Sequence, residues 1–421
     1  MVRIYRFAAV RPERTLGPGV PSVPYDVVTA EEARDCIQSN PVSFLRVIRP
    51  DAEMPGAAPD DERVYLRARD VFLSMQREGI LVRDPAPGFY LYRIVQDGME
   101  FVGLVCCVST RDYTDRRIRR HELTRYDKEE DRTRHIDAVN AHTGLVFLLY
   151  RDPGGIYRTI HSLARNAEPD GEMLTERGVL HQIFRIEDAS ALSRLEELFG
   201  GVSELYIADG HHRAKSAVNV AERRRLSGRP SAEAERFMAV LFAHDRVRIH
   251  GYSRLVADLG GYSPEAFLEE LSRRYDVRPY GRIDGSGYRI VPKKRTEALL
   301  HIIHMYLRGR WYEISCPVRD PEDPIASLDV TVLQKEVLEG MLGISDPRGD
   351  TRLHYLGGAR PLSDLEKMVD GGKYAAAFAM QPVGIETVLA IADNDGVMPP
   401  KSTWFEPKLL SGLVVHTLDE R

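Results

Sequence analysis

The chain has 421 residues, 43% hydrophobic and 29% charged, with 58 Lys and Arg against 63 Asp and Glu and a net charge of −5. This excludes a disordered or low-complexity chain and supplies apolar material for about two or three domains at ~150 residues each. It disfavours a strongly basic nucleic-acid binder, though not a local basic patch.

In chain order, a Pro- and Gly-rich opening leads to Thr29-Ala-Glu-Glu32, a capping-box pattern that predicts a helix ending at Ser39-Asn40-Pro41. Residues 51–60 read as a loop. Val64, Ala68, Val71, Phe72 and Met75 recur at helical spacing between Asp61 and Glu78. Phe89–Val95 and Phe101–Val108 predict a hairpin turning at Asp97-Gly98. A polar helix is expected over 129–140, a buried strand over Gly144–Tyr150 and a helix over Ala189–Phe199. Leu205–Ala208 reads as a strand, Ala214–Arg225 as a helix with Ala214, Ala217, Val218 and Ala221 on one face, and Phe237–Phe242 as a strand. Residues 264–275 and 329–342 look helical, and Met398–Lys408 reads as a Pro-punctuated loop. Helices and hairpins without strict alternation imply an α+β fold.

The four cysteines, Cys36, Cys106, Cys107 and Cys316, form no CxxC and no disulfide framework. Cys106 and Cys107 are neighbours on a strand, face opposite ways and cannot easily share a metal. No run of ~18 apolar residues is present, and the opening Met-Val-Arg-Ile-Tyr-Arg has no apolar signal core. A soluble cytoplasmic protein without a membrane partner is expected.

Three stretches carry polar chemistry. Tyr206-Ile-Ala-Asp-Gly-His-His-Arg213 orders a strand, a tight turn and a helix start. Gly210 permits positive φ, and the first helical N–H groups and the helix dipole suit an anion. Arg213 can add a bidentate phosphate contact, and His211 and His212 further donors. Asp209 can hold a hydroxyl or a metal-bound water. The bland alternative is an Asp209 helix cap with solvated histidines. In Arg120-His-Glu-Leu-Thr124, Glu122 is a candidate general base beside Arg116, Arg117, Arg119 and Arg120, and the bland alternative is a solvated charged face. Position 125 is Arg, which rules out HExxH. In Pro399-Pro-Lys-Ser-Thr403, Lys401, Ser402 and Thr403 could bind phosphate or a carboxylate, or merely satisfy their own turn. No Walker-type GxxxxGK[ST] occurs.

The order of these stretches resembles the free serine kinases with a ParB/sulfiredoxin-like fold. Over nearly the whole chain the sequence resembles a large bacterial and archaeal family of unassigned function, in part described as ParB-like, through Pro24–Val27, His121–Thr124, Lys128–Arg132, Tyr206–Arg213 and Met398–Lys408. The resemblance implies a ParB/sulfiredoxin-like catalytic core with a mixed sheet and additional α/β segments. It divides the chain into an N-terminal α/β region (1–110), the core (111–255) and a C-terminal α/β region (256–421) whose Pro-Lys-Ser-Thr loop returns to the site. It implies a phosphotransferase making O-phospho-L-serine from free L-serine. The catalytic glutamate falls on Glu122 and the phosphate- and metal-handling turn on Asp209, Gly210, His211, His212 and Arg213. The Pro-Lys-Thr-Thr loop falls on Pro400, Lys401, Ser402 and Thr403, with Ser402 replacing a threonine. Lys401 is then expected on the donor, and His121, Ser402 and Thr403 on the substrate. Mg²⁺ is implied, with Asp209 as its ligand through water or as a contact to the serine. The donor, ATP, ADP or pyrophosphate, is left open by long insertions around the glutamate, with a slight lean to a non-ATP donor. A homodimer is left open.

The rival reading is a ParB-like nucleotide- or DNA-binding module without kinase activity. The net charge of −5 and the lack of a basic helix-turn-helix disfavour nucleic acid. A sulfiredoxin-like reductase would need a reactive cysteine near the turn, and none neighbours Asp209–Arg213 in sequence.

Overall fold

The computed structural model describes residues 1–58, 60–281, 300–358 and 360–419. The chain forms two compact units, Met1–Val247 with Pro407–Arg421, and Arg248–Glu406. Both combine helices with sheets, and the first sheet mixes parallel and antiparallel pairs, which is the expected α+β class.

The units cut the chain elsewhere than at 110 and 255. Met99–Ser109, expected to close an N-terminal region, pairs with Arg236–Ala243 near the middle of the first unit's sheet. An apolar strand of this length, all buried from Phe101 to Val108, has partners on both edges, its hairpin neighbour Phe89–Gln96 on one and a strand from distant sequence on the other.

The first unit's main sheet has nine strands: β1 (Ile4–Tyr5), β2 (Phe89–Gln96), β3 (Met99–Ser109), β4 (Ile118–Arg119), β5 (Val146–Tyr150), β6 (Gly171–Leu174), β7 (Leu180–Ile186), β8 (Leu205–Asp209) and β9 (Arg236–Ala243). Their order is β4-β8-β5-β9-β3-β2-β7-β6, with β1 added to β3. The β9–β5 and β8–β4 pairs are parallel and the rest antiparallel. The β2–β3 hairpin turns at Asp97 (φ 51°) and Gly98 (φ 72°). Two positive-φ residues match the right-handed twist of the strands, so Asp-Gly sets the register.

Helices α1 (Ala30–Ser39), α2 (Glu62–Arg77), α3 (Tyr126–Val139), α4 (Ile156–Arg165), α5 (Ala189–Phe199) and α6 (His211–Leu226) accompany this sheet. The α1 capping box is formed: Thr29 Oγ1 accepts from the Glu32 amide at 3.2 Å, and Glu32 accepts from the Thr29 amide at 2.8 Å. Such a cap is worth about 1 kcal/mol. Ala214 and Ala217 on α6 join a core with Leu104, Leu148 and Ile207, and their small side chains let the helix lie close on the sheet. A second core gathers α1, α2, Val139, Ala141 and Val415. The loop expected over 51–60 begins instead as a 3₁₀ turn at Pro50–Glu53.

The second unit carries β10 (Tyr252–Val256), β11 (Asp276–Pro279), β12 (Leu300–Leu307), β13 (Arg310–Pro317), β14 (Leu353–Gly357) and β15 (Ala376–Ala379) in the order β11-β13-β12-β15-β10-β14, all antiparallel. The helix over 264–275 is found at Pro264–Arg274, and that over 329–342 begins as an α-turn at Asp329–Val332 and continues as a π-helix at Leu333–Glu339. Within 398–408, Trp404–Glu406 is a strand rather than loop, because it pairs with Arg248–His250. No helix among the described residues is long and apolar enough to cross a membrane.

Candidate functional site

The candidate site is built around the end of β8. Its register shifts between Ile207 and Asp209, and Gly210 turns the chain at φ 90°, ψ 29° into α6. A β-carbon at Gly210 would stand 3.0 Å from Arg213 Nε, so glycine is needed both for the backbone and for the guanidinium beside it. Among the described residues no side chain caps α6, which leaves its first amides and the positive end of the dipole suited to an anion.

Asp209 is not the helix cap of the bland reading. Its Oδ2 accepts from Lys408 Nζ at 3.1 Å, and its Oδ1 lies 3.6 Å from Arg213 Nη2. Burial alone would raise the carboxyl, but the two cations overcome it and hold Asp209 well below the ordinary carboxylate range. Its side chain nevertheless keeps 37% exposure, so the group sits deep among protein atoms yet open to solvent on one side.

The segment carrying Glu122 is brought to this turn by named contacts. The Arg125 amide donates to His212 Nε2 at 3.0 Å, which fixes that nitrogen as the acceptor. Ser216 donates to the Glu129 carbonyl at 2.9 Å, and Arg224 pairs with Asp137 at 2.8 Å, so α3 and α6 run side by side. Glu122 Oε2 then lies 3.9 Å from His211 Nδ1. His121 and His211 pack edge to face at 4.7 Å between ring centroids. Burial pushes both rings down, His211 to about 4 and His121 to about 3, so both are neutral at pH 7. His211 Nε2 is buried with no hydrogen-bond partner among the described residues.

Glu122, Asp209, Gly210, His211, His212 and Arg213 therefore come together. His121, expected on the substrate, is buried against His211. The basic run beside Glu122 is committed locally: Arg117 to Asp112 and Asp115, Arg119 to Glu204, and Arg120 to the Tyr113 hydroxyl at 3.1 Å. Carboxylates neutralise Arg117 and Arg119, that of Glu204 from 85 residues along the chain, whereas the Arg120 contact is to a neutral hydroxyl.

Lys401, Ser402 and Thr403 belong to the second unit, and the contacts seen for their loop are made there. Lys401 Nζ lies 5.4 Å from the Tyr252 ring centroid, and Ser402 donates to the Pro399 carbonyl at 2.6 Å. The buried Arg254 donates to the Lys401 carbonyl at 3.0 Å. Lys408, in the first unit, is a cation in direct contact with Asp209. Sequence reasoning passed over it although it closes the stretch 398–408 and, like Lys401, follows a proline.

Among the described residues no cluster of three His, Cys, Asp or Glu side chains could hold a metal. The remaining set for Mg²⁺ is one carboxylate plus a donor's phosphates and water, which is an ordinary one for that ion. Cys106 and Cys107 are fully buried, and burial pushes both thiols up, which removes them from redox chemistry.

Residues 4–331 match the family described as a protein of unknown function, DUF1015, and the chain belongs to that family. No curated protein matches it. Among solved structures, a free serine kinase in complex with AMP is 14% identical, with 72% of this chain and 88% of that one covered and a TM-score of 0.36. A conserved hypothetical protein from Pyrococcus furiosus is 14% identical, over 72% and 90%, with a TM-score of 0.32. SbnI with a C-terminal truncation from Staphylococcus aureus is 12% identical, over 72% and 82%, with a TM-score of 0.34. Likeness at this level carries no argument about activity.

Proposed function

We propose that this DUF1015 protein is a phosphotransferase with a ParB/sulfiredoxin-like core that phosphorylates the hydroxyl of free L-serine. The observation that carries the reading is the meeting of Glu122 with the Asp209–Arg213 turn, two stretches about 90 residues apart in sequence, at 3.9 Å between Glu122 and His211. A carboxylate beside an uncapped helix start, a lysine and an arginine is what transfer of a phosphoryl group to an alcohol needs.

In this reading Glu122 takes the proton of the serine hydroxyl. The hydroxyl oxygen forms the new bond to phosphorus while the bond from phosphorus to the donor's bridging oxygen breaks. The leaving phosphate or nucleotide departs with that electron pair. The amides of Gly210–His212 and the Arg213 guanidinium hold the donor's oxygens. Asp209 fixes Lys408 and Arg213 as cations beside it. Mg²⁺ arriving with the donor would neutralise phosphate charge, with Asp209 reaching it through water. Lys401, Ser402 and Thr403 are assigned to donor and substrate by sequence resemblance. The donor is ATP, ADP or pyrophosphate.

The test is incubation of the purified full chain with L-serine and Mg²⁺ against ATP, ADP and pyrophosphate separately, read by mass detection of phosphoserine. Formation with one donor supports the reading and names the donor. No phosphoserine with any of the three, from folded protein, overturns it.

A further inference from the structure

A pocket in the first unit, next to but not including Glu122 and Asp209, is lined by Tyr25, Arg132, His142, Thr143, Arg213 and Ser411 among others. His142 is 5% exposed. Its short strand Ala141–His142 pairs with His416–Thr417, and the two histidines face each other in register. Their Nδ1 atoms are 3.1 Å apart, and the rings stack at 5.3 Å. His416 Nε2 in turn lies 2.7 Å from Glu233 Oε2.

This chain of contacts fixes the protons. Burial would raise Glu233, but its bond to His416 holds it low, so it is an ionised acceptor and His416 donates from Nε2. Burial pushes His416 down against the pull of Glu233, so its Nδ1 keeps a lone pair. One proton must lie between the two Nδ1 atoms, and His142 supplies it. His142 is itself pushed well down by burial and by His416, so its Nε2 is a bare acceptor. That atom is buried and has no partner among the described residues. A buried acceptor without a donor is costly, and a ligand's N–H or O–H would relieve it.

The rest of the wall offers donors to an anion. Arg132 uses Nε and Nη2 on Asp131, at 2.9 and 2.8 Å, and lies over the Tyr25 ring at 4.3 Å. Its other terminal nitrogen has no partner among the described residues, and Arg132 lines the pocket. Burial keeps the Tyr25 hydroxyl protonated to about 12. Thr143 and Ser411 add hydroxyls. Arg213 joins this pocket to the phosphate turn. Its Nη1 donates to the Leu145 carbonyl, its Nη2 is near Asp209, and its Cδ lies 3.4 Å from where a Gly144 β-carbon would be.

We propose that this pocket binds a free α-amino acid as its zwitterion, the ammonium donating to His142 Nε2 and the carboxylate accepting from Arg132 and the pocket hydroxyls. The identity of that amino acid as L-serine, the acceptor, rests on the function proposed above. The pocket's demand for one donor and one anion on the same small molecule does not.

The test is calorimetric titration of the full chain, without any phosphate donor, with L-serine, with 3-hydroxypropionate, which lacks the ammonium, and with ethanolamine, which lacks the carboxylate. L-serine is expected to bind at least about tenfold more tightly than either, the size of one lost hydrogen bond to a charged group. His142→Phe should lose that factor and no longer separate L-serine from 3-hydroxypropionate. Thr143→Val, a near-isosteric change, should weaken L-serine severalfold and keeps the test open if His142→Phe does not fold. The ¹⁵N resonance of His142 Nε2 should move towards the hydrogen-bonded position on adding L-serine. Absence of binding by all three compounds overturns the proposal. So does phosphoserine formation with an unchanged serine KM in both variants, which would leave the kinase reading standing. Amino acid binding that depends on His142 without phosphoserine formation keeps the pocket and removes the reaction.

Discussion

Replacing Gly210 by Ala tests whether the turn positions Arg213 for the phosphate donor. At φ 90° the substitution carries the strain of a left-handed residue, about 1–2 kcal/mol. The new β-carbon would also sit 3.0 Å from Arg213 Nε and 3.2 Å from its Cζ, closer than such atoms normally approach. The guanidinium must shift, and with it the donation to the Leu145 carbonyl and the approach to Asp209. Gly228 is the control. Its φ is 70°, but nothing stands within 4 Å of its would-be β-carbon. Both variants should lose about 1–2 kcal/mol, a fall in Tm of roughly 2–4 °C per kcal/mol for a unit of this size. Only Gly210→Ala should raise the donor KM, by about tenfold, the worth of one charge-assisted contact. Thermal melts and steady-state kinetics on both variants decide it. Equal losses of Tm with an unchanged donor KM would refute the role given to Arg213.

Glu122→Gln should lower kcat by about 10²–10⁴ with an unchanged melt, since its side chain is one-third exposed and its contact to His211 is long; near-normal turnover would remove Glu122 as base. Lys408→Met leaves Asp209 without its 3.1 Å partner and should cost about 1 kcal/mol at pH 7, kept small by solvent screening. A depressed carboxyl lends stability above its unfolded pKa and loses it as pH falls through the folded one, so the gap to wild type in urea titrations should close below about pH 4; a pH-independent gap would contradict the pairing. His121, His135, His181 and His211 are depressed by burial to about 3, 4, 4 and 4. Here the unfolded chain binds protons that the folded chain refuses, so stability should fall with pH below about 6.5, by about 1.4 kcal/mol per pH unit for each ring. A flat urea midpoint from pH 6.5 to 5 would refute it. Thiol reagent at pH 8 should label exposed Cys36 and leave Cys106 and Cys107 untouched in native protein; rapid labelling of either would contradict their burial.

What was legible in the sequence was local. Thr29 and Glu32 are three residues apart, Asp97-Gly98 dictates its own turn, and Gly210 between a strand and an alanine-faced helix announces a strand–turn–helix. The partners of those elements were not legible, because sheet pairing across more than a hundred residues leaves no periodic trace. Hence β3 was cut from β9, which it pairs with, and the region boundary at 110 fell inside a unit. The same blindness hid Lys408. Pro400-Lys401 and Pro407-Lys408 are two similar dipeptides seven residues apart, and only the fold shows that the second sits on Asp209 while the first lies over Tyr252. The pairing of His142 with His416 rests on two-residue strands 274 positions apart, too short for any pattern. Charge density misled as well. Arg117 and Arg119 read as free cations in sequence, but Asp112, Asp115 and, from far along the chain, Glu204 neutralise them.

The pairing of Asp209 also divides the work between the two carboxylates of the proposed reaction. A general base must give up its charge to a proton during turnover, and a carboxylate held far below its ordinary range by Lys408 and Arg213 resists that. Protonating Asp209 would strand both cations, so its stable role is to keep them in place. Among the described residues Glu122 has no such cation in contact. The ring that faces it, His211, is neutral, and burial beside His121 keeps it so. Proton acceptance therefore falls to Glu122 and electrostatic positioning to Asp209. The two roles predict different damage: a base lost at 122 should lower kcat with KM nearly unchanged, whereas Asp209→Asn should raise the donor KM by loosening Lys408 and Arg213 together. Kinetics in which the two substitutions are indistinguishable would mean that the carboxylates act as one unit.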